Sequence, residues 1–164
     1  MSVAIDADGR FSGYASIFSV PDQGGDVVMP GAFAASLKAR TPGRVRLLFQ
    51  HDPKEPIGLW DEIVEDARGL KVSGRLIDGV PRAQSLRALI ARGAIDGLSI
   101  GFRAVRASRD GRTGTRRLWA VDLWEISIVT FPMMDQARIS AAPLSAETAQ
   151  LAATLGAAAK IFKN

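Results

Sequence analysis

The sequence predicts an α+β domain built on a mostly antiparallel, barrel-like β-sheet with a few flanking helices. Short segments that alternate apolar and polar residues, the period of a half-buried strand, recur along the chain. Inside that series only two segments carry clear helix signals. The resulting order, β, α, β, β, β, α, β, β, β, lacks the regular strand–helix alternation of a doubly wound sheet. These observations together favour an antiparallel core.

The first half of the chain provides four of the predicted strands and one helix. A short helix is expected after Pro30 and Gly31, in the stretch AFAASLKAR. The strand pattern over 45–51 places Val45, Leu47, Phe49 and His51 on one face. A Pro-rich, charged loop follows this strand. Strand patterns occupy residues 11–20, 45–51, 57–64 and 69–77, with a hairpin turn joining the last two.

The second half contains the clearest helix signal. Pro81 suits the first turn of a helix and Gly93 suits the position just beyond its end. Strand patterns follow at residues 98–107, 115–121 and 122–131. From Pro143 the composition shifts to alanine. We therefore expect a domain over residues 1–142, followed over 143–164 by an Ala-rich helix or tail, possibly one that is removed.

Composition narrows the functional classes. The 164 residues suffice for one domain with a sizeable core. The absence of cysteine excludes a disulfide scaffold, a thiolate nucleophile and thiolate metal ligands. The N-terminus has no basic region followed by an apolar run, and no run of about 18 apolar residues occurs. We therefore expect a soluble protein made in the cytoplasm, without a membrane partner.

The positive charge is concentrated in the middle of the chain. Residues 67–121 carry 12 basic and 3 acidic residues, whereas the whole chain has a net charge of +4. Such a region could steer an acidic partner or a nucleic acid. A solvated, arginine-rich hairpin is the simpler interpretation, and we favour it.

Ser99 is the candidate nucleophile. It lies in GLSIG (97–101), which matches the G-x-S-x-G pattern of α/β-hydrolases. The context excludes that fold, because a helix precedes the serine, a strand pattern follows it and the one histidine lies upstream. In the predicted strand, Ser99, Gly101 and Arg103 share an open face, and Gly101 leaves room for another backbone to approach. On spacing alone, an ordinary edge-strand serine remains the alternative.

His51 and Glu125 are the candidate partners of Ser99. His51 is the only histidine and lies where a strand ends, a position at which functional groups are often presented. Glu125 lies within an otherwise apolar strand, so its carboxylate must be paired or hydrogen-bonded. Facing His51, it would hold the imidazole as the third member of a triad does. A structural salt bridge to an arginine is the alternative.

Several ordered blocks of the sequence resemble the tailed-phage prohead proteases, distant relatives of herpesvirus assemblin. The resemblance extends from about Gly13 to Ile139. It includes GYASIF, DVVMPGAF, LLFQHDPKEPIG, the spacing of glycines and apolar residues over 69–76, RGAIDGLSIGF and LWEISIVTFP. Ordered blocks at suitable separations are far more specific than any one motif. After the FP of the last block, Met133 and Met134 stand where the family more often has small residues.

The resemblance implies a serine endopeptidase with Ser99 as nucleophile, His51 as base and Glu125 as the residue that orients the base. It implies a barrel core ringed by helices, with no metal or cofactor. The implied substrates are the scaffold protein, the N-terminal segment of the major capsid protein and the protease itself. The implied location is the assembling procapsid in the bacterial host cytoplasm, with a homodimer left open and nucleic acid not expected as the primary partner.

We assign the substrate-binding role to Ile100, Gly101 and Arg103, which neighbour Ser99 in the chain. Arg103 is separated from Ser99 by roughly 13 Å of strand, and its side chain closes only part of that gap. Two alternatives remain: a non-catalytic procapsid assembly or scaffold protein, and a basic β-barrel that binds nucleic acid. The second is poorly supplied with stacking surfaces, because Phe49, Phe102 and Trp124 occupy positions typical of core.

Overall fold

The computed structural model describes residues 4–141, which form one eight-stranded sheet and a few short helices. The strands are β1 (Arg10–Ile17), β2 (Asp26–Val28), β3 (Arg46–Phe49), β4 (Asp52–Glu65), β5 (Gly69–Leu76), β6 (Gly97–Arg109), β7 (Arg116–Val129) and β8 (Ile139–Ala141). The helices are α1 (Ala34–Ala39), α2 (Pro81–Ala91) and a 3₁₀ turn at Pro42–Arg44. The predicted α+β class is confirmed. The predicted tail over 143–164, and the boundary after residue 142, lie outside the described residues.

The sheet curls until its two ends nearly meet. Its strand order is β2-β7-β3-β4-β5-β1-β8, and β6 pairs with the other edge of β7. Most pairs are antiparallel, whereas β2 and β3 run parallel to β7. At the far end, Gly97 of β6 bridges to Arg138, and the Leu98 N–H donates to the Ala137 carbonyl at 2.9 Å. The path therefore returns to β6 as a barrel, as the sequence predicted.

The apolar side chains of the strands fill the inside of this barrel. Side chains with no exposed surface come from β1, β4, β5, β6 and β7, among them Phe11, Ile57, Leu70, Leu98 and Ile126. Helix α2 adds Ala83, Leu86 and Ile90 to the same cluster. Pro81 stands at its first turn, and Gly93 takes a φ of +69° beyond its end, as predicted.

Three details of the sequence prediction were wrong. The two strands expected over 115–121 and 122–131 are one strand, β7 (Arg116–Val129). The apolar phase of β7 shifts twice, and β-bulges against β6 absorb both shifts without ending the strand. Strand β4 starts at Asp52, where a Pro-rich loop was expected, because residues 52–58 pair with β3. The short strands β2 and β8 were not predicted at all.

No helix among residues 4–141 is long and apolar enough to cross a lipid bilayer.

Candidate active site

The pairing of β6 with β7 brings together three polar side chains and one glycine. Ser99 lies opposite Ser127, and Gly101 lies opposite Glu125. Residues two apart on a strand point to the same face, so all four positions share one side of the ribbon. Glu125 is therefore adjacent to Ser99 across the strands, with no side chain at residue 101 between them.

His51 reaches the same face from a tight turn rather than from a strand. Gln50 and His51 have φ values of +55° and +58°, and Phe49 pairs with Asp52, so the two residues form the turn between β3 and β4. The prediction that His51 continues the alternation of the preceding strand was wrong. Left-handed backbone is costly for non-glycine residues and persists only where surrounding contacts fix it.

Strand β7 supplies those contacts. The Gln50 N–H donates to the Ile128 carbonyl at 3.0 Å, and the His51 N–H donates to the Ser127 Oγ at 3.1 Å. The Gln50 side-chain amide donates to the Thr130 hydroxyl at 2.8 Å and accepts the Thr130 N–H at 3.2 Å. The turn is thereby held against β7 with its imidazole above Ser99.

Ser99, His51 and Glu125 form a continuous hydrogen-bonded chain. The His51 Nε2 lies 3.0 Å from the Ser99 Oγ, and its Nδ1 contacts the Glu125 Oε1. A carboxylate only accepts, so Nδ1 carries the proton towards Glu125, and Nε2 is free to accept the proton of the serine hydroxyl. This is the order of groups that activates a serine for nucleophilic attack.

The three groups differ in their access to solvent. Ser99 is 6% exposed, which corrects the expectation that its strand face is open; the turn that carries His51 covers it. The His51 side chain remains 42% exposed and that of Glu125 13%. The imidazole is therefore open to solvent on one side, whereas Ser99 beneath it is largely shielded from water.

The pKa of His51 is raised above its ordinary value. The hydrogen bond to the Glu125 carboxylate is the largest cause; partial burial opposes it, and the negative charge of Glu125 adds to it. Glu125 therefore favours the imidazolium, the form that an imidazole takes once it has accepted a proton.

Gly101 touches Glu125 rather than another backbone. A Cβ at residue 101 would lie 2.1 Å from the Glu125 Oε1 and 2.7 Å from its Cδ, far inside van der Waals contact. The space beside Gly101, where another backbone was expected to approach, is occupied by this carboxylate.

Replacing Gly101 by alanine is expected to displace the Glu125 carboxylate from His51. The strand itself can carry alanine, because Gly101 has no left-handed φ. We expect kcat for a reaction at the Ser99 hydroxyl to fall about 100-fold, the order of loss that a displacement of about 1 Å causes, while the thermal unfolding temperature changes little. The matched control is Gly111→Ala in the distal turn, where nothing lies within 4 Å of an added Cβ. Unchanged kcat in Gly101→Ala would contradict this role.

A cavity of about 160 Å³ adjoins Ser99. Its lining is mainly apolar, includes two carboxylates, and comes from β1, β2, β6 and the turns near residues 22 and 133: Ala15, Ser16, Asp22, Asp26, Val28, Leu98, Ser99, Ile100, Phe102, Met133 and Met134. Among the predicted substrate-binding residues, Ile100 lines this cavity. The size of the cavity and its position beside the Ser99 hydroxyl suit one side chain of a bound peptide.

Arg103 does not line this cavity. Its side chain is 68% exposed and lies 3.7 Å from the Asp122 carboxylate. The aromatic residues also depart from prediction, because Phe49 and Phe102 are only half-buried and Trp124 is about half exposed. The Trp124 indole donates to Asp122 at 2.9 Å, which accounts for its place outside the core.

Three residues that hold the His51 turn and the Glu125 carboxylate were not predicted from the sequence: Ser127, Gln50 and Thr130. The signal for Ser127 is its spacing of two from Glu125, which places both on one strand face. Gln50 and Thr130 carried no signal, since neither residue type marks a two-residue turn.

Comparison with known proteins identifies the family of the chain. A family model described as caudovirus prohead serine protease matches residues 2–152. The prohead protease of Enterobacteria phage HK97 is 40% identical over 138 residues, which cover 81% of this chain and 60% of that protein. The prohead protease of Escherichia phage T5 is 30% identical over 75% of this chain and 58% of that protein. The chain thus spans about three fifths of the length of these relatives.

Solved structures share the fold at low sequence identity. The capsid assembly protease of bacteriophage T4 superposes with a TM-score of 0.63 at 15% identity, covering 75% of this chain and 82% of that one. The protease of Kaposi's sarcoma herpesvirus, in complex with a hexapeptide phosphonate inhibitor, gives a TM-score of 0.58 at 12% identity, covering 90% and 76%. The match of the family model to nearly the whole sequence decides the classification: the chain belongs to the caudovirus prohead serine protease family.

Proposed function

We propose that this chain is a serine endopeptidase that cleaves capsid proteins during phage maturation, with Ser99 as nucleophile, His51 as base and Glu125 as the residue that orients and charges the base. The observation that carries the proposal is the hydrogen-bonded chain from the Ser99 Oγ through both nitrogens of His51 to Glu125. The family membership supplies the reaction class. The non-catalytic assembly protein considered from the sequence does not account for this alignment.

The reaction follows from the positions of the protons. The His51 Nε2 takes the proton of the Ser99 Oγ as that oxygen attacks the peptide carbonyl, and Glu125 stabilises the resulting imidazolium. His51 then gives the proton to the leaving amine as the C–N bond breaks and the acyl-enzyme remains on Ser99. A water molecule, deprotonated by His51, attacks the ester, and the proton returns to the Ser99 Oγ as the acid leaves.

The outer edge of β6, beside Ser99, offers backbone groups with which a bound peptide can pair. Among residues 4–141, no strand pairs with the outer edge of β6 beyond the bridge at Gly97. The Leu98 N–H points to that edge, where it meets Ala137, and strand alternation directs the backbone of Ile100 the same way. We propose that the substrate lies along this edge as an added strand and places one side chain in the cavity beside Ser99.

The substrates that we propose are the scaffold protein, the N-terminal segment of the major capsid protein and the chain itself, within the procapsid in the host cytoplasm. The names of the relatives support this class. A segment similar to this chain, at 33% identity, also lies within a protein of Pseudomonas phage PAJU2 named capsid polyprotein and covers 20% of it.

Mass spectrometry of the capsid protein tests this function. The purified chain is mixed with the capsid and scaffold proteins of the same phage, and the mature N-terminus of the capsid protein is read. We expect a shortened N-terminus that is absent when the chain is first inactivated with a serine-directed phosphonate. A capsid protein that keeps its original N-terminus beside folded, active-site-intact chain would contradict the proposed substrate.

A further inference from the structure

One hydroxyl outside the three proposed catalytic groups contacts two of them. The Ser127 Oγ donates to the Glu125 Oε2 at 2.7 Å and accepts the His51 backbone N–H at 3.1 Å. These directions are fixed by chemistry, because an ionised carboxylate only accepts and a backbone N–H only donates. A hydroxyl supplies one donor and at least one acceptor, so both contacts are satisfied at once.

We propose that Ser127 is a positioning residue for hydrolysis: its single hydroxyl sets the Glu125 carboxylate towards His51 and holds the left-handed backbone of His51 above Ser99. The inference rests on the proposed function of the site. Ser127 touches neither substrate nor the attacking oxygen, so it acts through its two neighbours.

The carboxylate needs such a partner because it must present a fixed oxygen. Glu125 uses Oε1 for His51, and Oε2 would otherwise be left without a donor at a side chain that is mostly buried. With both oxygens bonded, the carboxylate has one orientation rather than several. Hydrogen-bond partners that fix the orientation of a functional side chain in this way are a recurring requirement of active sites.

The turn needs the same hydroxyl for a different reason. Gln50 and His51 both have positive φ, a conformation that is costly for non-glycine residues and must be fixed by its surroundings. The side chain of Gln50 is tied to Thr130, but the backbone N–H of His51 is tied to Ser127. Without Ser127 the backbone N–H of His51 loses its acceptor, and the left-handed backbone of His51 loses one of the contacts that fix it.

Ser127 has no exposed surface, so its role is not to meet solvent or a ligand. Its Cα neighbours are Ser99 on β6 and Leu48 on β3, which places it in the layer between the nucleophile and the strand that leads into the His51 turn. One side chain there can couple the position of the base to that of its carboxylate.

The test compares Ser127→Ala with Ser36→Ala. Ser36 is also buried, and its Oγ also accepts a backbone N–H of β7, that of Leu123 at 2.9 Å, but it lies away from the triad. Both changes remove one buried hydroxyl and one acceptor, so a merely structural effect should be similar in the two. We expect Ser127→Ala to lower kcat about 10- to 100-fold with KM nearly unchanged, and Ser36→Ala to keep the kcat of the unmodified chain.

A spectroscopic readout needs no substrate. Because His51 is the only histidine, we expect its Nδ1 proton, which is hydrogen-bonded to Glu125, to give the one imidazole Nδ1 signal in the downfield proton NMR spectrum. We expect this signal to shift or broaden in Ser127→Ala and to stay in Ser36→Ala. It is observable even if the chain cleaves no capsid protein, which separates failure of this inference from failure of the proposed function.

Ser127→Cys covers the case in which the alanine variant does not fold. A thiol fills the same space but is a weak donor and acceptor, so we expect a folded protein with lowered kcat, unchanged KM and an altered His51 signal. If folded Ser127→Ala or Ser127→Cys keeps the kcat and the His51 signal of the unmodified chain, the positioning role is overturned.

Discussion

Replacing Ser99 by alanine is expected to abolish cleavage, lowering kcat by about 10⁶-fold. Alanine has no oxygen to attack the peptide carbonyl, so no acyl-enzyme forms. The Ser99 Oγ contacts His51 at 3.0 Å, and its loss leaves the surrounding strand pairs in place. The variant should therefore fold and still bind substrate. The measurement is the initial rate of product formation by purified chain on the proposed capsid substrate.

Ser108→Ala is the matched control for this change. Ser108 lies on the same strand, is exposed, and its hydroxyl accepts the Trp119 indole N–H at 2.9 Å. It should cleave at the rate of the unmodified chain. Cleavage that persists at that rate in Ser99→Ala would show that another residue is the nucleophile.

Glu125→Gln is expected to lower kcat by about 10⁴-fold, the order of effect that loss of the orienting carboxylate has in serine proteases. The Ser127 hydroxyl needs an acceptor, so the amide oxygen would turn towards Ser127 and the NH₂ group would face the His51 Nδ1. That donor favours the tautomer with its proton on Nε2, which cannot accept the proton of Ser99.

The same change should move the pH profile. His51 acts as a base only when neutral, and Glu125 raises the pKa of His51 chiefly through their hydrogen bond. Activity of the unmodified chain therefore falls as pH drops through a value above the ordinary pKa of histidine. In Glu125→Gln this acid limb should move to lower pH.

The pH dependence of kcat/KM measures this shift, with Glu65→Gln as the control. Glu65 is also half-buried and accepts a backbone N–H, that of Phe33 at 3.0 Å, but it does not contact His51. We expect its profile to match that of the unmodified chain. A Glu125→Gln variant that unfolds readily but retains its specific activity would instead identify the carboxylate as a structural group.

The fold class was predictable because it depends on local patterns. Alternation identified β6 and placed Leu98 in the core, and Pro81 and Gly93 marked the ends of α2. The continuity of β7 was not predictable, because β-bulges that keep a strand intact through a change of apolar phase depend on its partner. Pairing with β3 likewise overrides the two prolines of β4.

The candidate site was predictable in its members but not in its construction. The resemblance of ordered sequence blocks to a known family identified Ser99, His51 and Glu125 as the candidates. That His51 lies in a left-handed turn could not be read from the sequence, since Gln50 and His51 are not one of the Asn-Gly, Asp-Gly or Gly-Gly pairs that mark a two-residue turn. The turn exists because β7 provides its hydrogen bonds, and those contacts arise only when distant strands pair.

Labelling with a fluorophosphonate tests the central claim, that His51 and Glu125 activate Ser99. The reagent phosphonylates an activated serine hydroxyl with loss of fluoride, and peptide mapping by mass spectrometry identifies the modified residue. We predict one adduct, on Ser99, that forms faster as pH rises through the pKa of His51 and is lost in His51→Ala. An adduct on another serine, or equal labelling of Ser99 in His51→Ala, would contradict the account.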